Sequence, residues 1–302
     1  LPKDDKKLTI YVLVQNIMPI KYPKIGAHIS AAGDVSQAPL RAASAGCECF
    51  QFFSRPPQGG PAKPITEELA TIFKANCKKD DLESYIHTPY YINLASAKNN
   101  IYFGSIKVIR EELERGSLLG VKYVMAHMGS SKELGEKEGL KKAIEGLEQV
   151  MKGYKGSTKL LLEISAGAGA IIGDTFEELG AMIHSVKLKK YKIGICFDTA
   201  HAFASGYDLR TSKAVSATFK QFDKVIGKEK LKLIHANDSL AEFDSKKDRH
   251  AHIGEGKIGL EGFKAIVAYA KKLKINLILE TPHDGHEDQA LLKDIKTLKN
   301  LR

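Results

Sequence analysis

The chain has 302 residues, of which 43% are hydrophobic and 27% charged, an ordinary balance for a folded globular protein. No apolar run reaches the ~18 residues that cross a bilayer; the longest candidate, Leu8 to Ile20, is broken by Gln15 and Asn16, lacks a small-residue cleavage site, and reads as neither a membrane span nor a secretory signal. The net charge of +10 suits a polyanionic partner such as nucleic acid, but does not choose one, because much of the lysine falls on expected outer helices such as Lys264–Lys274.

Cys47, Cys49, Cys77 and Cys196 form no C-x-x-C pair. They read as small buried thiols in a reducing compartment, which leads to the expectation of a cytoplasmic protein.

Short apolar runs alternate with amphipathic stretches along the chain. Strands are expected at Lys24–Ile29, Glu48–Phe53, Glu83–His87, Val121–His127, Lys159–Ile164, Lys192–Asp198, Lys230–Ala236 and Asn276–Glu280. Between them lie helical patterns at Glu67–Lys79, Ser105–Leu119, Lys137–Lys155, Phe176–Val186, Ala214–Ile226, Leu260–Leu273 and His286–Leu298. Eight nearly continuous apolar strands alternating with helices over ~250 residues point to α/β class and a closed TIM-type (β/α)8 barrel. The barrel domain is expected to occupy residues 24–302, with residues 1–23 as a tail or a cap. The cluster Arg55–Pro61 (RPPQGGP), after the second strand, reads as a loop.

Histidines and acids collect at the strand ends. His87 and His127 end strands three and four, Glu163 lies on strand five, and Asp198 ends strand six with His201 three residues on. His235 lies on strand seven, Asp248 and His250 in the loop after it, and Glu280 ends strand eight. In a TIM barrel these positions face one mouth, where active sites are built. A single strand-end His is more often a hydrogen-bonded structural residue than a ligand, and a single Glu more often pairs with a Lys or Arg. Together, five His and four carboxylates converging on a small volume would be very costly to bury without cations. Imidazole mixed with carboxylate and no thiolate suits zinc, with manganese or iron as alternatives for part of the set. His28 and His252 are expected to line this site or contact phosphate; His184, His283 and His286 receive no role.

These residues resemble a known family. Cys196–Arg210 (CFDTAHAFASGYDLR), Ile234–Ser239 (IHANDS) and Asp248–Gly259 (DRHAHIGEGKIG) look like signatures of endonuclease IV. So do Ile25–Gly33 (IGAHISAAG) and Leu277–Thr281 (LILET), and the resemblance runs from about Lys24 to the C-terminus. It implies three zincs: one on His87, His127 and a bridging Glu163, a second on Glu163, Asp198, His235 and Glu280, and a third on His201, Asp248 and His250. It implies hydrolysis of the phosphodiester 5′ to abasic sites in double-stranded DNA, leaving a 3′-hydroxyl and a 5′-deoxyribose phosphate, together with trimming of blocked 3′ ends. The implied nucleophile is a hydroxide held between two zincs, with Glu163 and Glu280 as catalytic metal ligands and Arg249 holding a phosphate. Tyr90 is implied as a wedge into DNA, with Tyr91 next to it as the alternative, and the protein as a monomer.

The chain departs from the family pattern at several positions. Gln58 and Gly60 stand where many relatives carry Arg and Trp, which bears on lesion recognition; Gln58 and Arg55 are then the expected DNA contacts of that loop. Met128 replaces a common proline, and Ile164–Ser165 replace a common Asn-Thr after the bridging Glu163. Two rival readings are a sugar isomerase or epimerase on the same barrel and a DNA-binding barrel without catalysis. The Asp248–His250 element and the third ligand set discriminate against the first, and the complete set of nine against the second.

Overall fold

The computed structural model describes residues 22–302, so the expected extension 1–23 lies outside the described residues except for Tyr22 and Pro23. Eight parallel strands close into a barrel: β1 (Ile25–His28), β2 (Cys49–Phe52), β3 (Glu83–His87), β4 (Tyr123–Ala126), β5 (Lys159–Glu163), β6 (Gly194–Asp198), β7 (Leu231–His235) and β10 (Asn276–Leu279). Each strand pairs with its sequence neighbours, and β10 closes the ring between β7 and β1. The TIM-type (β/α)8 expectation is met, with strand ends within one to two residues of those expected from the apolar runs.

Helices cover the outside. Helix α2 (Glu67–Lys79) starts where expected because the Thr66 hydroxyl accepts the Leu69 N–H, acids fill its first turn and lysines its last. Helix α3 (Asn99–Leu119) begins six residues earlier than its apolar pattern suggests, because Tyr102 is drawn into the core; it ends at Gly120, whose left-handed φ of 73° suits glycine. Helices α4 (Glu136–Met151), α5 (Phe176–His184), α7 (Ser212–Val225), α8 (Gly259–Leu273) and α9 (Gln289–Leu301) match expected segments with shifted ends.

Three elements go beyond what the sequence pattern reveals. Helix α1 (Gln37–Ser44) buries only Ala38, Pro39 and Ala42, too little apolar bulk to make a strong period; Pro39 is tolerated in its first turn. Helix α6 (Thr199–Ala204) and the hairpin β8 (Asp238–Ser239) with β9 (His250–Ala251) are loop insertions shaped by the site. Among the described residues no helix is long and apolar enough to cross a membrane.

The period of two along each strand divides the barrel. Outward residues such as Phe50, Ile86, Val124, Leu162, Phe197 and Ile234 pack against the helices. Inward residues Cys49, Tyr85, Tyr123, Met125, Leu161, Cys196, Leu233 and Ile278 form a separate apolar plug inside the ring. On β1 the inward place is taken by Gly26, where an added Cβ would lie 1.5 Å from the Cys49 carbonyl oxygen. Gly26→Ala must therefore push β1 from β2. It is expected to cost about 3 kcal/mol or more, read as a large fall in thermal midpoint; an unchanged midpoint would contradict the tight β1–β2 approach.

Candidate metal centre

Two residues beyond the apolar plug, every strand turns a polar side chain into the barrel mouth. From Gly26 the step of two reaches His28; from Cys49, Gln51; from Tyr85, His87; from Met125, His127. On the other side, Leu161 leads to Glu163, Cys196 to Asp198, Leu233 to His235 and Ile278 to Glu280. One polar ring thus sits on one apolar ring as a direct consequence of the pleat. His201, Asp248 and His250 complete the group from loops. The Asp198 carboxylate caps α6 by accepting the His201 N–H at 2.8 Å, which sets His201 one turn after Asp198. The β8–β9 hairpin brings Asp248 and His250 back over the mouth, and the buried Asp238 anchors that loop by accepting the N–H groups of Gly254, Gly256 and Ile258.

The nine expected ligands meet. His87, His127 and Glu163 place ligand atoms within 4.8 Å of one another; so do Glu163, Asp198, His235 and Glu280; so do Asp198, His201 and His250. Asp248 joins the last set, its oxygens 3.2 Å from His201 Nε2 and 3.3 Å from His250 Nε2. Glu163 belongs to two sets: Oε2 lies 3.0 Å from His87 Nε2, while Oε1 lies 2.8 Å from His235 Nδ1.

The imidazoles are aimed from behind. The Nδ1–H of His87 donates to the Thr88 carbonyl at 2.6 Å, that of His201 to the Ile164 carbonyl at 3.0 Å, and that of His250 to the Glu280 carbonyl at 3.1 Å. Each Nε2 is thereby turned toward the centre. The Nε2 atoms of His201 and His250 are buried without a hydrogen-bond partner. Their short approach to Asp248 lacks hydrogen-bond geometry, as expected of groups pointing at a common third atom. That orphaned pair, and a donor set of imidazole and carboxylate, fit a divalent metal.

Electrostatics agree with the geometry. Burial alone would raise the Glu163 carboxyl, but the His127 and His235 imidazoles outweigh it and hold it well below the usual carboxylate range. Burial opposes, and His235 overrides it, at Glu280. Against burial, Asp198, Asp248 and Glu163 lift His201 to about 10. Burial pushes the Cys196 thiol up to about 12; it lies beside Glu163 and His235 but keeps its proton at neutral pH.

The centre opens into a cleft of about 760 Å³ bordered by Tyr90, Tyr91, Asn93, Ser130 and His283. Tyr90 is 68% exposed, with its ring edge-on to Phe53 at 5.3 Å and its N–H on the Pro57 carbonyl at 3.2 Å. Gln58, next to Pro57, is exposed on that loop, and Arg249 is exposed beside His250.

Three expectations are corrected. Arg55 is not a free DNA contact: its side chain is 5% exposed, with Nε 2.5 Å from Glu112 and Nη2 2.9 Å from Glu111. A loop cation so close to two helix acids is captured by them. His252 does not line the cleft but faces Asp294 Oδ2 at 2.8 Å. His283, given no role, does line it. Gln51 and Asn237 are further members of the site that the sequence does not single out. Asn237 Nδ2 donates to Asp198 Oδ2 at 2.6 Å, and its Oδ1 accepts the Glu280 N–H at 2.7 Å, tying two of the expected ligands together. A lone polar residue in the apolar run Cys49–Phe53 is the available signal for Gln51.

Comparison with known proteins agrees with this architecture. The family described as xylose isomerase-like TIM barrel matches residues 39–301. A curated protein of Nitrosopumilus maritimus named "Probable endonuclease 4" is 40% identical over 268 residues, covering 88% of this chain and 95% of that protein. The crystal structure of endonuclease IV from Thermus thermophilus superposes with a TM-score of 0.81 at 30% identity, covering 92% of this chain and 99% of that one. A D-tagatose 3-epimerase-like protein shares the fold at TM-score 0.69 and 18% identity, covering 92% of this chain and 96% of that one, a likeness of fold alone. With its strand-end ligand ring and these relatives together, the chain belongs to the endonuclease IV family.

Proposed function

We propose that this protein is a deoxyribonuclease IV-type AP endonuclease that hydrolyses the phosphodiester 5′ to abasic sites, leaving a 3′-hydroxyl and a 5′-deoxyribose phosphate, and that also trims blocked 3′ ends. The observation that carries this reading is the meeting of all nine ligand side chains at one barrel mouth, with the third set from His201, Asp248 and His250 in place. The cofactor is three zinc ions per chain, with manganese or iron as alternatives for part of the set. The protein acts as a monomer in the cytoplasm.

When bound, divalent metals lower the pKa of water and offset charge developing on phosphoryl oxygens. The chain's own residues provide the rest. Glu163 spans two ligand sets and fixes their spacing; Glu280 and Asp198 close the inner set. Arg249, exposed beside His250, holds a phosphate through its planar fork. Tyr90, exposed at the rim and backed by Phe53, presses into the duplex where a base is missing, and Gln58 contacts DNA from the adjoining loop.

The test is incision of a duplex carrying one abasic-site analogue, with the product ends mapped. The expected product is a polymerase-extendable 3′ end at the 5′ side of the lesion; an intact strand, or a cut 3′ to the lesion, contradicts the proposal. Binding of that duplex is expected to weaken steeply with salt as phosphate contacts release counterions, whereas a salt-independent affinity measured by fluorescence anisotropy would favour a small neutral substrate.

A further inference from the structure

Gln51 sits in the polar ring as the β2 member, fully buried, with its carboxamide between two expected ligands of one metal. Its Oε1 accepts from His235 Nε2 at 2.7 Å, and its Nε2 donates to Glu280 Oε1 at 2.6 Å. The second Nε2 proton points to His28 Nδ1 at 3.0 Å. The orientation of the amide is determined by its partners: a carboxylate only accepts, so the nitrogen must face Glu280 and the oxygen must face His235.

Two consequences follow from that orientation. His235 must carry a proton on Nε2, so Nδ1 is the ring atom turned to Glu163 Oε1 at 2.8 Å, Glu280 Oε2 at 3.1 Å and Asp198 Oδ2 at 3.8 Å, and the one that would ligate a metal there. Glu280 must spend Oε1 on the amide, which leaves Oε2 for the centre. The contrast with His87, His201 and His250 is sharp: those three are held at Nδ1 by backbone carbonyls and present Nε2. His235 is turned the other way round, and the group behind it is a side chain rather than the backbone.

We propose that Gln51 is a positioning residue that sets the His235 tautomer and the Glu280 ligand oxygen together, and so tunes the affinity of the Glu163–Asp198–His235–Glu280 site alone. The inference rests on the metal-centre reading above. It also gives His28 a supporting place: its Nδ1 faces the amide nitrogen at 3.0 Å and takes up the second amide proton.

The experiment titrates metal-free wild type and Gln51→Met with Co2+, following the ligand-field spectrum and a competing chelator. One of three equivalents is expected to weaken by about 10–100-fold in the variant, the usual cost of removing a group that orients a ligand, with the other two unchanged. Equal affinities in both proteins, or uniform weakening of all three equivalents, overturn the role of Gln51 while leaving the metal centre standing. Absence of any Co2+ binding by wild type overturns both. A measurement on the zinc-loaded wild type alone avoids dependence on the variant's folding: 15N shifts of the His235 ring are expected to report a proton on Nε2, and a proton on Nδ1 would refute the inference.

Discussion

Replacing Glu280 by Gln is expected to lower the single-turnover incision rate on the order of 10²–10³-fold, the loss of a few kcal/mol of transition-state stabilisation from one metal position. The geometry explains why so small a change would act so strongly. Gln51 Nε2 already donates to Glu280 Oε1 at 2.6 Å, and a substituted amide would keep its oxygen there. Its NH2 would then occupy the place of Oε2, 3.1 Å from His235 Nδ1, where a lone pair is needed. Affinity for abasic DNA is expected to change little, because Tyr90 and Arg249 lie outside this contact. Incision at the wild-type rate would remove Glu280 from the ligand set.

Glu112→Ala is expected to be the most damaging substitution outside the metal centre. Glu112 is fully buried on α3, 2.5 Å from Arg55 Nε and 3.7 Å from Arg115 Nε, and it accepts the Ser54 hydroxyl. Its removal leaves the buried Arg55 guanidinium with the half-exposed Glu111 alone and takes from Arg115 the carboxylate beside it. The expected loss is about 3–5 kcal/mol of stability, measured as a shift in denaturant midpoint at constant slope. Metal stoichiometry is expected to hold. A surface-like effect below about 0.5 kcal/mol would mean that Arg55 is free, and would restore it as a DNA contact.

The barrel is legible in the sequence because its strands are covered on both faces and read as apolar runs, and the convergence of the candidate metal ligands because a His or acid closing such a run has no packing purpose. Those two regularities are one: the same period of two that buries Leu161 and Leu233 inside the ring turns Glu163 and His235 into the mouth. Gln51 obeys that period as well, but an amide carries no charge to explain, and so it passes as an ordinary polar interruption of β2. Arg55 misleads for the opposite reason. Its sequence neighbours are a Pro- and Gly-rich loop, while its partners Glu111 and Glu112 lie 56 and 57 residues away. His252 likewise adjoins the ligand loop in sequence but turns back to Asp294 on α9. Helix α1 leaves little trace because alanines bury little surface, and α6 because its N-terminal cap is the candidate ligand Asp198 itself.

Zinc titration of chelator-stripped protein, with incision of an abasic duplex followed at every step, tests most directly whether the nine side chains act as one three-metal catalytic centre. Activity absent from the stripped protein and complete only when three equivalents are bound is the predicted result. Undiminished incision by stripped protein, or three bound equivalents with no incision 5′ to the lesion, would contradict it.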